Sequence, residues 1–119
     1  LRVLIAVDGS ANSLRAVKFV ITKAPFYREP MELHVLNVQH PFPGTIRGVQ
    51  HQAEQFHHDA GTKALARARK ALDAAGLNYV YHIGVGDSGE VLAHFVKDKK
   101  IQQVVMGTRG LGSVANMLL

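Results

Sequence analysis

The residues best equipped for chemistry are Val104-Val105-Met106-Gly107-Thr108-Arg109-Gly110-Leu111-Gly112-Ser113. A β-branched apolar run stops at Gly107, two more glycines follow at Gly110 and Gly112, and beyond Ser113 the apolar residues Val114, Met117 and Leu118 recur at helical spacing. The expectation is a strand, a glycine loop and a helix. Such a junction aims backbone N–H groups and a helix N-terminus at one point, and glycine admits close approach to the backbone. That is anion-binding chemistry, with a phosphate chain as the natural guest. By itself the loop favours an ordinary strand-to-helix turn over a phosphate site by about two to one.

Other constellations are weaker. Gly84-Val85-Gly86-Asp87-Ser88-Gly89 fits the dinucleotide pattern G-x-G-x-x-G, but that pattern needs an acidic residue about twenty positions on for the ribose, and no Asp or Glu follows Asp98. A turn with a helix cap explains it better. His82-Ile83-Gly84 continues with Val85 where a nucleotidyl-transfer motif needs histidine, and no P-loop pattern occurs. Of the seven histidines, His51, His57 and His58 share one expected helix, but no carboxylate or cysteine completes a metal set, and solvated helix histidines are the simpler reading. His34, on an expected buried strand, reads as a satisfied core histidine. Asp8 ends the first strand with Ser10 nearby, yet no base and orienting partner accompany it. It is either a ligand anchor or a turn residue, and the residues alone leave both open.

The elements that must position these residues alternate regularly. Apolar runs at 2–7, 33–38, 78–85 and 101–106 lack polar alternation, as strands buried on both faces do. After the first, Ser10 or Asn12 can cap a helix carrying Leu14, Val17 and Ile21, closed by Pro25. Residues 39–48, with Pro41, Pro43 and Gly44, read as a loop. A long helix follows over 49–75, with Phe56, Ala60, Leu65, Ala68 and Leu72 as its apolar stripe, Gly61 weakening its middle and Gly76 as its stop. Asp87 caps a further helix that buries Val91, Leu92, Phe95 and Val96. This βα alternation predicts an α/β fold, an open, mostly parallel twisted sheet with helices on both faces. Ligands bind such sheets outside the carboxyl ends of the strands where strand order reverses, which points to Asp8 and the loop from Gly107.

Composition narrows the function classes. The 119 residues make one domain, 47% hydrophobic and 19% charged, with no cysteine for disulfide or thiolate chemistry. No apolar run is long enough to span a membrane and no signal-peptide pattern opens the chain, so a cytoplasmic protein without a membrane partner is expected. The net charge of +5 favours anionic ligands, but the basic residues are scattered or, like Lys97, Lys99 and Lys100, gathered where they complement a helix dipole. No nucleic-acid surface is expected.

Taken together, a first strand ending in Asp8-Gly9-Ser10, a second containing Leu33-His34-Val35, a proline-containing loop before a long helix, and a last strand running into Gly107-Thr108-Arg109-Gly110 resemble a universal stress protein domain of the nucleotide-binding type. The resemblance covers essentially the whole chain. The family signature continues from G-x-x-G through nine residues to G-[S/T]; residues 111–119 supply the nine, and the closing pair would fall beyond Leu119. The resemblance implies a Rossmann-like fold similar to adenine nucleotide alpha hydrolases, in a single domain over 1–119 that lacks its C-terminal end and its fifth strand. It implies an adenine nucleotide as cofactor, ATP or AMP, with or without magnesium, and a homodimer. Residue by residue, it places Ala6, Val7 and Val35 at the base, Asp8 at the ribose, and Gly107, Thr108, Arg109, Gly110, Gly112 and Ser113 at the phosphates, with Met106 beside them. The implied role is a stress-response regulator. A slow ATPase using Asp8 or Ser10 to arrange a metal and water, and a dimerisation module that binds no nucleotide, are the alternatives.

Overall fold

A computed structural model describes residues 1–41, 50–108 and 114–119. The four anticipated strands are β1 (Arg2–Ala6), β2 (Glu32–Gln39), β3 (Val80–Val85) and β4 (Gln103–Gly107). Between them lie α1 (Ala11–Lys23), α2 (Gln50–Ala74) and α3 (Ser88–Asp98), with a short 3-10 turn, Ala24–Phe26, carrying Pro25 behind α1. The first three strands and β4 run parallel, with registers such as Leu4↔His34, Leu4↔Val104 and Leu36↔His82.

The segment expected to be a helix after Ser113 is instead a fifth strand, β5 (Val114–Leu118), antiparallel to β4 from Gln103↔Leu118 to Gly107↔Val114. With it the sheet has five strands, in the order β3-β2-β1-β4-β5. The open edge of β4 supplies a full row of backbone partners, and 114–118 pairs with it. Buried Gln103 secures the pairing: its Nε2 donates to Asn116 Oδ1, and Tyr27 donates its hydroxyl to Gln103 Oε1 at 3.3 Å.

Because the inner strands are buried on both sides, odd and even residues feed two cores. Val3, Ile5, Val7, Leu33, Val35 and Val105 pack against Ala16, Val17 and Val20 of α1 and Leu65, Ala68 and Leu72 of α2. Leu4, Leu36 and Val104 face the other way, toward Val91, Leu92, Phe95 and Val96 of α3. The stripe on α2 begins one residue later than expected. Phe56 is exposed, and His57 is buried with its Nε2 2.9 Å from the His40 carbonyl oxygen. Gly61 lies in that stripe because α2 rests directly on Ile83 of β3 there.

Candidate functional site

Strand order reverses between β1 and β4, since β1 leads on to β2 on one side while β3 returns the chain to β4 on the other. At the carboxyl ends of these strands opens a cleft of about 540 Å³. Ala6, Val7 and Asp8 enter it from β1 and its exit, Leu36 and Val38 from β2, and Met106 and Gly107 from β4. Ser10, Asn12 and Ser13 line it from the first turn of α1, and Ser88, Gly89 and Leu92 from the first turns of α3. One wall is thus aliphatic and the other polar, the pattern of a site that takes a flat apolar group together with a polar one.

The turn after β1 is built by its own side chains. Ser10, not Asn12, is the cap of α1: the Ser13 N–H donates to Ser10 Oγ at 3.2 Å, and the Ser13 hydroxyl donates back to the Ser10 carbonyl at 3.1 Å. The Ser10 N–H donates to Asp8 Oδ1 at 2.9 Å, and the Asp8 N–H donates to Ser13 Oγ at 3.3 Å. Partial burial opposes ionisation of Asp8, but the hydrogen bonds from Ser10 and Ser13 outweigh it and hold the carboxyl below the usual carboxylate range. An exposed carboxylate, charged at neutral pH and oriented by its own turn, is a two-oxygen acceptor suited to a pair of hydroxyls.

At the opposite side, Gly107 ends β4 against the first turn of α1. A Cβ at this position would overlap the carbonyl carbon and oxygen of Asn12, so the close approach of strand and helix requires glycine. Thr108 follows, half-buried. Arg109, Gly110, Gly112 and Ser113, expected at the phosphates, lie outside the described residues.

Five of the expected nucleotide residues therefore meet in one cleft: Ala6, Val7, Asp8, Met106 and Gly107. Val35 does not join them. Its side chain is fully buried in the core beneath α1 and α2, and Leu36 and Val38 present the strand's other face to the cleft. The G-x-G-x-x-G stretch is a turn with a cap, as anticipated: Asp87 caps α3, accepting from the Glu90 N–H at 3.1 Å, and Gly84 leaves room for Val91. Yet Ser88 and Gly89 of that stretch line the cleft, a role its sequence reading did not assign. The signal was available, since α3 starts at the carboxyl edge of the sheet like every helix that follows a parallel strand.

Histidine chemistry lies elsewhere. His34 Nδ1 and His82 Nε2 are 3.0 Å apart, and His34 Nε2 is 3.4 Å from a Glu32 carboxylate oxygen, so buried His34 is a satisfied core histidine. His57, expected in solvent, is instead buried. Among the described residues no group of three or more metal-binding side chains comes together, and no helix is long and apolar enough to cross a membrane.

Comparison with known proteins follows the same lines. The sequence profile described as "Universal stress protein family" matches residues 1–119. A universal stress protein of Thermus aquaticus is 30% identical over 122 residues, covering 98% of this chain and 83% of that protein. Among solved structures, an Arabidopsis thaliana universal stress protein family member with AMP bound has a TM-score of 0.70 at 22% identity, covering 96% of this chain and 80% of that one. A universal stress protein in complex with cAMP has a TM-score of 0.67 at 24% identity, covering 94% and 79%. At these identities the two structures share the fold.

Proposed function

The chain belongs to the universal stress protein family, and on that premise we propose that it binds an adenine nucleotide, ATP or AMP, in the cleft between β1 and β4 and acts as a cytoplasmic stress-response regulator. The observation that carries this reading is the convergence of Asp8, an aliphatic wall and Gly107 at the point where strand order reverses. Leu36, Val38, Leu92 and Met106 offer adenine an apolar surface, Asp8 offers the ribose hydroxyls a charged acceptor, and Gly107 at the edge of the cleft leads into the residues that the resemblance assigns to phosphate. The volume suits a small organic ligand, such sites spanning roughly 300–1,000 Å³. Solved relatives holding AMP and cAMP support the choice of base.

Regulation follows by population shift. Nucleotide bound in the cleft favours one arrangement of its rim, and a partner or second subunit meets that arrangement. A homodimer fits the same reading, because β5 is an edge strand of the sheet, whose outer backbone groups a second copy can pair.

Calorimetric titration with ATP, AMP, cAMP and GTP, each with and without magnesium, tests the proposal. Adenine-selective binding that Asp8→Asn weakens at least tenfold is expected, that being the scale of a charged hydrogen bond. A folded protein that binds none of the four overturns it. Sedimentation at the same concentrations reports the oligomer.

A further inference from the structure

We infer that Asn37 is a positioning residue for Asp8: its buried carboxamide fixes the point at which β1 leaves the sheet, and so sets where the Asp8 carboxylate stands in the cleft. The inference rests on the reading above, in which Asp8 takes the sugar of a nucleotide.

A carboxamide is out of place at this depth. Asn37 is 2% exposed on a strand whose neighbours Leu33, Val35 and Leu36 are aliphatic. Burying such a group is unfavourable unless both of its ends are hydrogen-bonded. Both are. Its Nδ2 donates to the Val7 carbonyl at 2.8 Å, and its Oδ1 accepts from Gln39 Nε2 at 2.7 Å. The Gln39 carbonyl in turn accepts the N–H of Gly86, where β3 leaves the sheet, at 3.0 Å.

The bond to Val7 falls at a critical place. The register between β1 and β2 ends at Ala6↔Leu36, and the Val7 N–H donates once more to the Leu36 carbonyl at 2.8 Å. The next peptide group is the one that joins Val7 to Asp8, and its carbonyl is held by the Asn37 side chain. The described hydrogen bonds of Asp8 itself go to Ser10, in the same turn, and to Ser13, on α1, so a shift of the turn away from α1 weakens the Ser13 bond and part of what holds the carboxyl low. Asn37 thus ties that turn to the rigid sheet, and Gln39 locks the carboxamide in the orientation that points its donor at Val7.

The donor requirement makes the role testable. Asn37→Asp keeps the shape but, when ionised, sets a carboxylate against the Val7 carbonyl; when protonated, it can donate as asparagine does. Measured against the natural chain at the same pH, so that the nucleotide's own phosphate ionisation cancels, the affinity of Asn37→Asp is expected to be nearly equal at pH 5 and about tenfold weaker or more at pH 8. In Gln39→Met the carboxamide loses its brace, and NMR titration should find the Asp8 carboxyl moved up toward the ordinary carboxylate value.

A purely structural role for Asn37 would lower the melting temperature of both variants while leaving the pH profile of binding and the Asp8 titration unchanged, and that result overturns the inference. Should Asn37→Asp not fold, the Asp8 titration and nucleotide affinity of Gln39→Met decide the matter. If the natural chain binds no nucleotide, the functional reading falls, and the Asp8 titration still shows whether Asn37 positions that carboxylate.

Discussion

Gly61→Ala should reverse the sign that helix propensity assigns to it. In an open helix interior, replacing glycine by alanine stabilises by about 1 kcal/mol, because alanine loses less backbone freedom. Here a Cβ would stand 2.7 Å from Cδ1, 2.7 Å from Cγ2 and 2.8 Å from Cγ1 of Ile83. Carbon atoms rest at about 3.5–4.0 Å, so the overlap approaches about 1 Å at three atoms. Both γ carbons leave the same branched Cβ, and no single χ1 rotation clears them. Either α2 or β3 must shift, an overpacking cost of about 1–3 kcal/mol. Set against the propensity gain, Gly61→Ala is expected to destabilise by about 1 kcal/mol. In an Ile83→Ala background the opposing atoms are gone, and the same substitution should stabilise by about 1 kcal/mol. Urea unfolding of the four proteins, followed by far-UV circular dichroism, yields the coupling directly. A gain of stability in both backgrounds would refute the packing argument.

Two further predictions read other contacts. Gly107→Ala drives a Cβ into the Asn12 backbone, which cannot swing aside as a side chain can, so the loss should reach about 3 kcal/mol and lower the melting temperature by roughly 10 °C; an unchanged melt would sink it. His82 titrates below the ordinary histidine value of 6.5 because of its burial, then the neighbouring His34 and Lys99. The folded chain thus takes up this proton less readily than the unfolded chain, so the contribution is complete above 6.5 and is lost as pH falls through that value toward the lower folded one. Denaturation midpoints should therefore be lower at pH 5.5 than at pH 7.5, with a shallower dependence in His82→Phe; an equally steep dependence in that variant would exclude His82 as the source.

Where local chemistry is decisive, the elements were readable in advance. Strands β1, β2 and β4 announce themselves as largely apolar runs without regular polar alternation, because both of their faces are buried. Asp87 is a capping residue whatever packs around it, since the bond it accepts lies within three residues; at α1 the sequence admits both Ser10 and Asn12, and the structure takes Ser10. Asp8 and Gly107 were placed at one cleft because strand ends in a parallel sheet share an edge.

The errors have a common origin in faces and partners. A run without alternation does not reveal which residues point to which side: the Val35 side chain lies in the core, while Leu36 and Val38 line the cleft. On α2 the choice between Phe56 and His57 depends on where β3 and the chain near His40 stop covering the helix. At residues 114–118 the apolar spacing fits a helix turn, and the unpaired edge of β4 made it a strand.

The amino-acid order alone was therefore sufficient for the family, the α/β alternation, the Asp87 cap and the meeting of Asp8 and Gly107 at one edge of the sheet. Each of these depends on contacts between near neighbours or on the rule that parallel strands end together. The facing of each strand, the pairing of β5, the entry of Ser88 and Gly89 into the cleft and the grip of Asn37 on Val7 were decided by tertiary structure, because each needs a partner far away in the chain.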